Sequence, residues 1–195
     1  MTMMERLTRT ARQAVVGAVG AARAEGASTV GEEHLLAGLF GQADSTAVRL
    51  LAESGCGPDQ YEAVLQECRD YRRRGGIGRA ETEALRGLGI EVDQIIDRVE
   101  EIWGEGALLE PVPLDPSGRR GRRRGIGNHL PWRPESRKVL ETSLRQALDL
   151  RSKSIGSEHV LLGLLVAPGA AKEVLTARGI TSLHVRSLIR SGQEG

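Results

Sequence analysis

The chain of 195 residues carries 27 Lys and Arg against 26 Asp and Glu, a formal net charge of +1, so no global field draws it toward nucleic acid or a membrane surface. Hydrophobic residues make up 39% and aromatics only 3%, so Leu, Val, Ile and Ala must fill the interior, and this composition favours helices over sheets. No run of about 18 apolar residues occurs, which predicts no membrane span. Cys56 and Cys68, the only cysteines, have no histidine partners at ligand spacing, which predicts free thiols in a reducing cytoplasm rather than a zinc site.

The predicted elements are helical from end to end. Leu7, Ala11, Ala14, Val15, Ala18 and Ala22 recur at helical spacing and predict a helix over 5–25, stopped by Gly26. A short helix follows over 32–40. Further on, Glu83 to Ile90 leads into an amphipathic stretch carrying Val92, Ile95, Ile96, Val99 and Ile102. Arg72-Arg73-Arg74-Gly75-Gly76 reads as a short solvated linker. A longer disordered linker is predicted over 105–131, where Pro111, Pro113 and Pro116 precede the basic run Arg119 to Arg124. Pro134 then opens a helix over 134–151, and a short one follows over 157–165. Gly55, Gly89 and Gly179 each stand where a helix should stop.

The chain repeats itself. Val30-Gly31-Glu32-Glu33-His34-Leu35-Leu36-Ala37-Gly38-Leu39 returns 125 positions later as Ile155-Gly156-Ser157-Glu158-His159-Val160-Leu161-Leu162-Gly163-Leu164. At the same offset Leu7 meets Trp132, Arg12 meets Arg137 and Ala22 meets Ala147. After a gap of one residue, Ala47 to Gly55 pairs with Ala171 to Gly179, and Glu83 to Ile90 is a partial third copy. The layout expected is a first repeat over 1–72, an extra helical pair over 77–104, the linker over 105–131 and a second repeat over 132–195.

These repeated segments resemble the amino-terminal domain of Clp/Hsp100 unfoldases, the ClpC/ClpA type in particular. That domain is a tandem of two four-helix repeats, each marked by a Gly-Thr-Glu-His-Leu/Ile-Leu-Leu-Gly-Leu segment. The openings Leu7-Thr8-Arg9-Thr10-Ala11-Arg12 and Trp132-Arg133-Pro134-Glu135-Ser136-Arg137 are similar to the helix that precedes it. The resemblance covers about residues 4–70 and 130–192 and implies an all-α fold. The middle copy and the arginine-rich linker depart from the unfoldase pattern, where the halves are joined closely; the double repeat is also similar to free-standing double-repeat proteins of actinobacterial type.

In Gram-positive members of the family, the Glu of each marked segment helps bind phosphoarginine, a degradation mark. The resemblance puts that role on Glu33 and Glu158. A carboxylate can hold a guanidinium through charge-assisted bonds, and a helix N-terminus beside it can hold the phosphate. Ser157 keeps the family's hydroxyl, whereas Glu32 replaces it and sets a negative charge where phosphate would sit. The two glutamates could equally do no more than polarise short helices. A second family site is the groove between the halves, which accepts cyclic-peptide antibiotics. It corresponds to Met4, Trp132, Arg137 and Glu141, with Trp132 standing for a Phe and Arg137 for a Lys.

No lysine follows a glycine anywhere, so there is no phosphate-cradling Gly-Lys-Ser/Thr loop and no ATPase is expected. His34 and His159 lack the partners of a metal or catalytic site and read as buried structural residues. No cofactor is expected. The resulting expectation is a cytoplasmic, stand-alone, non-catalytic module. It would bind peptides, phosphoarginine-marked proteins or cyclic-peptide antibiotics as an adaptor to, or decoy for, the Clp protease. The alternatives are an assembly protein docking on the Clp unfoldase, and a nucleic-acid-associated regulator. The latter would act through Arg119 to Arg124, although that run lacks interleaved aromatics and reads better as a solvated linker.

Overall fold

The computed structural model describes residues 3–104, 108 and 130–192, the side chains of Met3 and Met4 excepted. The run Arg119 to Arg124 and nearly all of the predicted linker lie outside the described residues. Those described form ten α-helices and no β-strand. The first repeat holds α1 (Arg9–Ala24), α2 (Glu32–Phe40), α3 (Thr46–Glu53) and α4 (Tyr61–Arg73). The hairpin α5 (Arg79–Gly87) and α6 (Val92–Trp103) follows. The second repeat holds α7 (Pro134–Asp149), α8 (Ser157–Val166), α9 (Ala170–Ala177) and α10 (Ser182–Ser191). The fold is all-α.

Local chemistry explains the boundaries. Thr8 caps α1 by accepting a hydrogen bond from the Ala11 amide, so the helix begins at Arg9 rather than at residue 5. Leu7 is drawn instead into a parallel bridge with Ile155. Pro134 occupies the first turn of α7, where its missing N–H costs nothing. The run Arg72-Arg73-Arg74 is not a solvated linker. It forms the C-terminal end of α4, where cations suit the helix dipole, and each arginine has a carboxylate partner.

Within each repeat the first two helices cross closely. A Cβ on Gly38 would press into the Ala14 carbonyl, and one on Gly163 into Ser143 and the Val139 carbonyl. That close approach explains why glycine recurs at both positions. Leu35, Leu36, Leu39, Leu161, Leu162 and Leu164 then point into one core shared by both repeats.

The repeats are joined by a pseudo-twofold exchange. Leu7 bridges to Ile155, and Val30 bridges to Trp132, so positions equivalent by the 125-residue offset trade partners. In the first bridge Ile155 donates to the Arg6 carbonyl at 2.8 Å and Thr8 to the Ile155 carbonyl at 2.9 Å. In the second Val30 donates to the Pro131 carbonyl at 2.8 Å and Arg133 to the Val30 carbonyl at 3.0 Å. The same exchange sets α3 on α8 and α9 on α2. Arg178, just after α9, adds a two-pronged pair with Glu67 of α4, at 2.9 and 3.2 Å.

The hairpin hangs on the end of α4. Arg73 meets Asp97 at 2.8 Å and Glu100 at 2.6 Å, and Arg74 meets Asp93 at 2.8 Å. Val92 and Ile96 are buried, while Leu88, Ile95, Ile102 and Trp103 remain exposed. Among the described residues no single helix is long and apolar enough to cross a membrane. The apolar pair α8 and α9 bends by 91° and is mostly buried in the core. Cys56 and Cys68 are free and buried; burial pushes both thiols up, that of Cys68 to about 12.

Candidate functional site

The two marked segments build the same helix N-terminus twice. Gly31 caps α2, and its amide donates to His34 Nδ1 at 2.8 Å. Gly156 caps α8, and its amide donates to His159 Nδ1 at 2.9 Å. Both histidines are buried, and each is spent on capping through the same ring nitrogen. His34 also meets Glu25 through Nε2 at 3.1 Å. Burial lowers the His34 pKa, outweighing Glu25, so the ring stays neutral as its acceptor role requires.

The glutamate between cap and histidine folds back over the glycine in both repeats. A side chain on Gly31 would collide with the Glu33 carboxylate, and one on Gly156 with that of Glu158. A side chain at either glycine would push the carboxylate aside, while the backbone there, at φ −94° and −88°, is open to any residue. The two carboxylates meet different surroundings. Glu33 is 2% exposed, and one of its oxygens, Oε1, is ion-paired with Arg72 of α4. Its other oxygen is buried and has no hydrogen-bond partner among the described residues. The Glu158 side chain is 21% exposed, and among the described residues no Arg or Lys pairs with it. Burial alone would raise the Glu158 carboxyl. The close approach of His159, at 3.0 Å, together with hydrogen bonds from the Glu158 amide and from Ser157, outweighs it and holds the group below the usual carboxylate range.

The residues preceding these glutamates face the opposite repeat. Ser157 is buried, and its oxygen accepts a hydrogen bond from the Ala47 amide in the first turn of α3, at 3.2 Å. Its symmetry counterpart, Glu32, is also buried and accepts from the Ala171 amide in the first turn of α9, at 3.3 Å. Each therefore caps a helix of the other repeat. This placement was not legible in the sequence, because the contact spans more than 100 residues. Glu32 does not lie open in a phosphate position; its carboxylate lies against Gly169 and the start of α9. Burial pushes its pKa up to about 7, against hydrogen bonds from the α9 amides that pull the other way. A cleft of about 210 Å³ opens beside it, with Glu33, Tyr71, Arg72, Arg133 and Gly169 on its walls.

The second expected group is spread along the start of α7. Trp132 is half-buried against the core and bridged to Val30. Arg137 and Glu141 are exposed one turn apart. Met4 lies in the short 3-10 turn Met3–Arg6, and its side chain lies outside the described atoms. Among the described residues no group of His, Cys, Asp and Glu is placed to hold a metal ion.

This arrangement defines an all-helical, double-repeat module with a carboxylate seated on a helix N-terminus in each half. Residues 6–82 match the family model for the Clp repeat (R) N-terminal domain. Along nearly its whole length the chain is similar to ClpC- and ClpA-type proteins. It is 28% identical over 189 residues to chaperone protein ClpC2, chloroplastic, of Oryza sativa subsp. japonica, covering 96% of this chain and 15% of that protein. It is 28% identical over 188 residues to the ATP-dependent Clp protease ATP-binding subunit ClpA homolog, chloroplastic, of Brassica napus, covering 96% and 16%. The chain thus spans about 15% of the length of these relatives. A solved structure, the N-terminal domain of the caseinolytic protease associated chaperone ClpD from Arabidopsis thaliana, shares the fold. Its TM-score is 0.50 at 18% identity, covering 100% of this chain and 98% of that one.

Proposed function

We propose that the chain is a non-catalytic binding module that takes phosphoarginine-bearing protein segments at the N-terminus of α8. It works in the cytoplasm as an adaptor to, or decoy for, a Clp protease. One observation carries the reading. Glu158 is an ionised, partly exposed carboxylate on a helix N-terminus, and no arginine or lysine of the described chain pairs with it. Such a carboxylate attracts a guanidinium, and the dipole of α8, whose cap Gly156 and first residue Ser157 are themselves buried, favours a phosphate beside it. The similarity to ClpC-type chaperone proteins supports a place in the Clp system.

Calorimetric titration with free phosphoarginine tests this. Heat of binding is expected for the wild type and should vanish in Glu158→Gln, which keeps the shape and removes the charge. Unphosphorylated arginine should bind more weakly. Absence of heat from the wild type, or equal binding by Glu158→Gln, contradicts the reading.

A second reading has an observation of its own. Leu88, Ile95, Ile102 and Trp103 of the extra hairpin are each exposed, and large exposed apolar side chains on one element suit docking on a protein partner such as a Clp unfoldase. Co-purification distinguishes it: unfoldase subunits retained by the wild type and lost in Ile95→Asp/Ile102→Asp favour docking over capture of marked clients.

A further inference from the structure

We propose that Arg72 is the first repeat's built-in occupant, a guanidinium of the chain's own that closes the Glu33 site and leaves the protein one working site instead of two. The inference rests on the reading of Glu158 given above and concerns the regulation of the equivalent site.

The two helix N-termini are built alike. The Gly caps, the His Nδ1 acceptors and the folded-back carboxylates coincide at the 125-residue offset. What differs is the occupant. At Glu33 a guanidinium arrives from the last turn of α4, and the carboxylate retains 2% exposure. At Glu158 no guanidinium arrives among the described residues, and the carboxylate keeps 21%. Arg72 thus does inside the chain what an arginine-derived ligand would do from outside.

Two further features make Arg72 a plug rather than an ordinary ion-pair partner. Glu33 Oε2 is buried beside the 210 Å³ cleft with no partner among the described residues, so Arg72 satisfies only one of two oxygens and leaves the other ready for a ligand N–H. Arg72 is also latched. The next two residues, Arg73 and Arg74, are bound to Asp97, Glu100 and Asp93 of the hairpin, which fixes the end of α4 over the carboxylate. The extra hairpin is therefore the element that keeps the plug in place.

Phosphoarginine titrations of the full chain, read for stoichiometry, test this. The wild type should take one molar equivalent and Glu158→Gln none. Arg72→Ala/Glu158→Gln should regain one equivalent, lost again when Glu33→Gln is added. Failure of the double variant to bind overturns the plug even if wild-type binding at Glu158 stands. A wild type that binds two equivalents, with Glu33→Gln and Glu158→Gln each removing one, overturns it as well. If the wild type binds nothing but the double variant binds, the plug stands and the Glu158 reading falls. Circular dichroism checks each fold, and Arg72→Gln, which keeps part of the stem, replaces Arg72→Ala if the latter unfolds. The wild type supplies an independent readout. The Arg72 side-chain nitrogen resonances should stay unchanged at saturating phosphoarginine, and their displacement overturns closure.

Discussion

Glu32 accepts a hydrogen bond from the backbone amide of Ala171, 139 positions away, and so caps a helix of the opposite repeat with a carboxylate. Burial raises its pKa from 4.5 to about 7. For an acid whose pKa rises on folding, the stabilising contribution is complete below pH 4.5 and disappears as pH climbs through about 7. Charged Glu32 therefore costs the fold up to the order of 3 kcal/mol relative to its protonated form. Glu32→Gln should gain stability relative to the wild type between pH 5 and pH 8, as measured by urea unfolding. The paired comparison matters, because His34, whose pKa is lowered, contributes the opposite slope. A wild-type-to-variant difference that stays flat with pH would show that Glu32 is not buried as described.

Ser157 makes the reciprocal contact with α3 at the Ala47 amide. Removing a capping oxygen from a helix start costs about 1 kcal/mol. Ser157→Ala should lose about that much stability while α3 keeps its own cap, Ser45, on the Val48 amide. The same substitution removes a hydrogen bond to Glu158, so the Glu158 carboxyl should titrate at higher pH, as followed by side-chain carboxyl NMR.

Gly163→Ala tests the close crossing of α7 and α8. The new methyl would press into the Ser143 hydroxyl and the Val139 carbonyl, with backbone on one side and no room to yield. Overpacking of this kind costs about 1–3 kcal/mol. A denaturation midpoint unchanged from the wild type would mean that the helices are less tightly crossed than described.

The hairpin is held by charges that water reaches, so its attachment should depend on salt. Arg73→Ala/Arg74→Ala should raise amide exchange across α5 and α6 while α7 to α10 stay protected. High salt should produce part of the same change in the wild type. Equal protection of the hairpin with and without the two arginines would place its stability in apolar contacts instead.

Much of the fold was legible in the sequence because it is written locally. The spacing of Ala11 to Ala22, the proline at 134 and the stops at Gly55, Gly89 and Gly179 are all short-range signals, and each falls at a helix or its end. The repeated Gly-x-Glu-His segment was equally plain, because its cap, carboxylate and histidine lie within four residues of each other. What sequence did not show was pairing at a distance. Arg72 to Arg74 read as solvated charge because their partners, Glu33 and the hairpin acids, are 19 to 39 residues away. Arg72 and Arg73 in a last helical turn, preceded by the apolar positions Val64, Leu65 and Cys68, were the signal available for α4. Ser157 read as the hydroxyl kept from the family's ligand site, because its contact with α3 is 110 residues away. Its partner is brought close only when α3 packs on α8.

The most direct test of the central claim is an amide NMR titration of the full chain with phosphoarginine. Binding at the N-terminus of α8 predicts saturable shifts centred on Gly156, Ser157, Glu158 and His159, with Gly31 to His34 unmoved. Shifts absent from α8, or persisting there unchanged in Glu158→Gln, would contradict it.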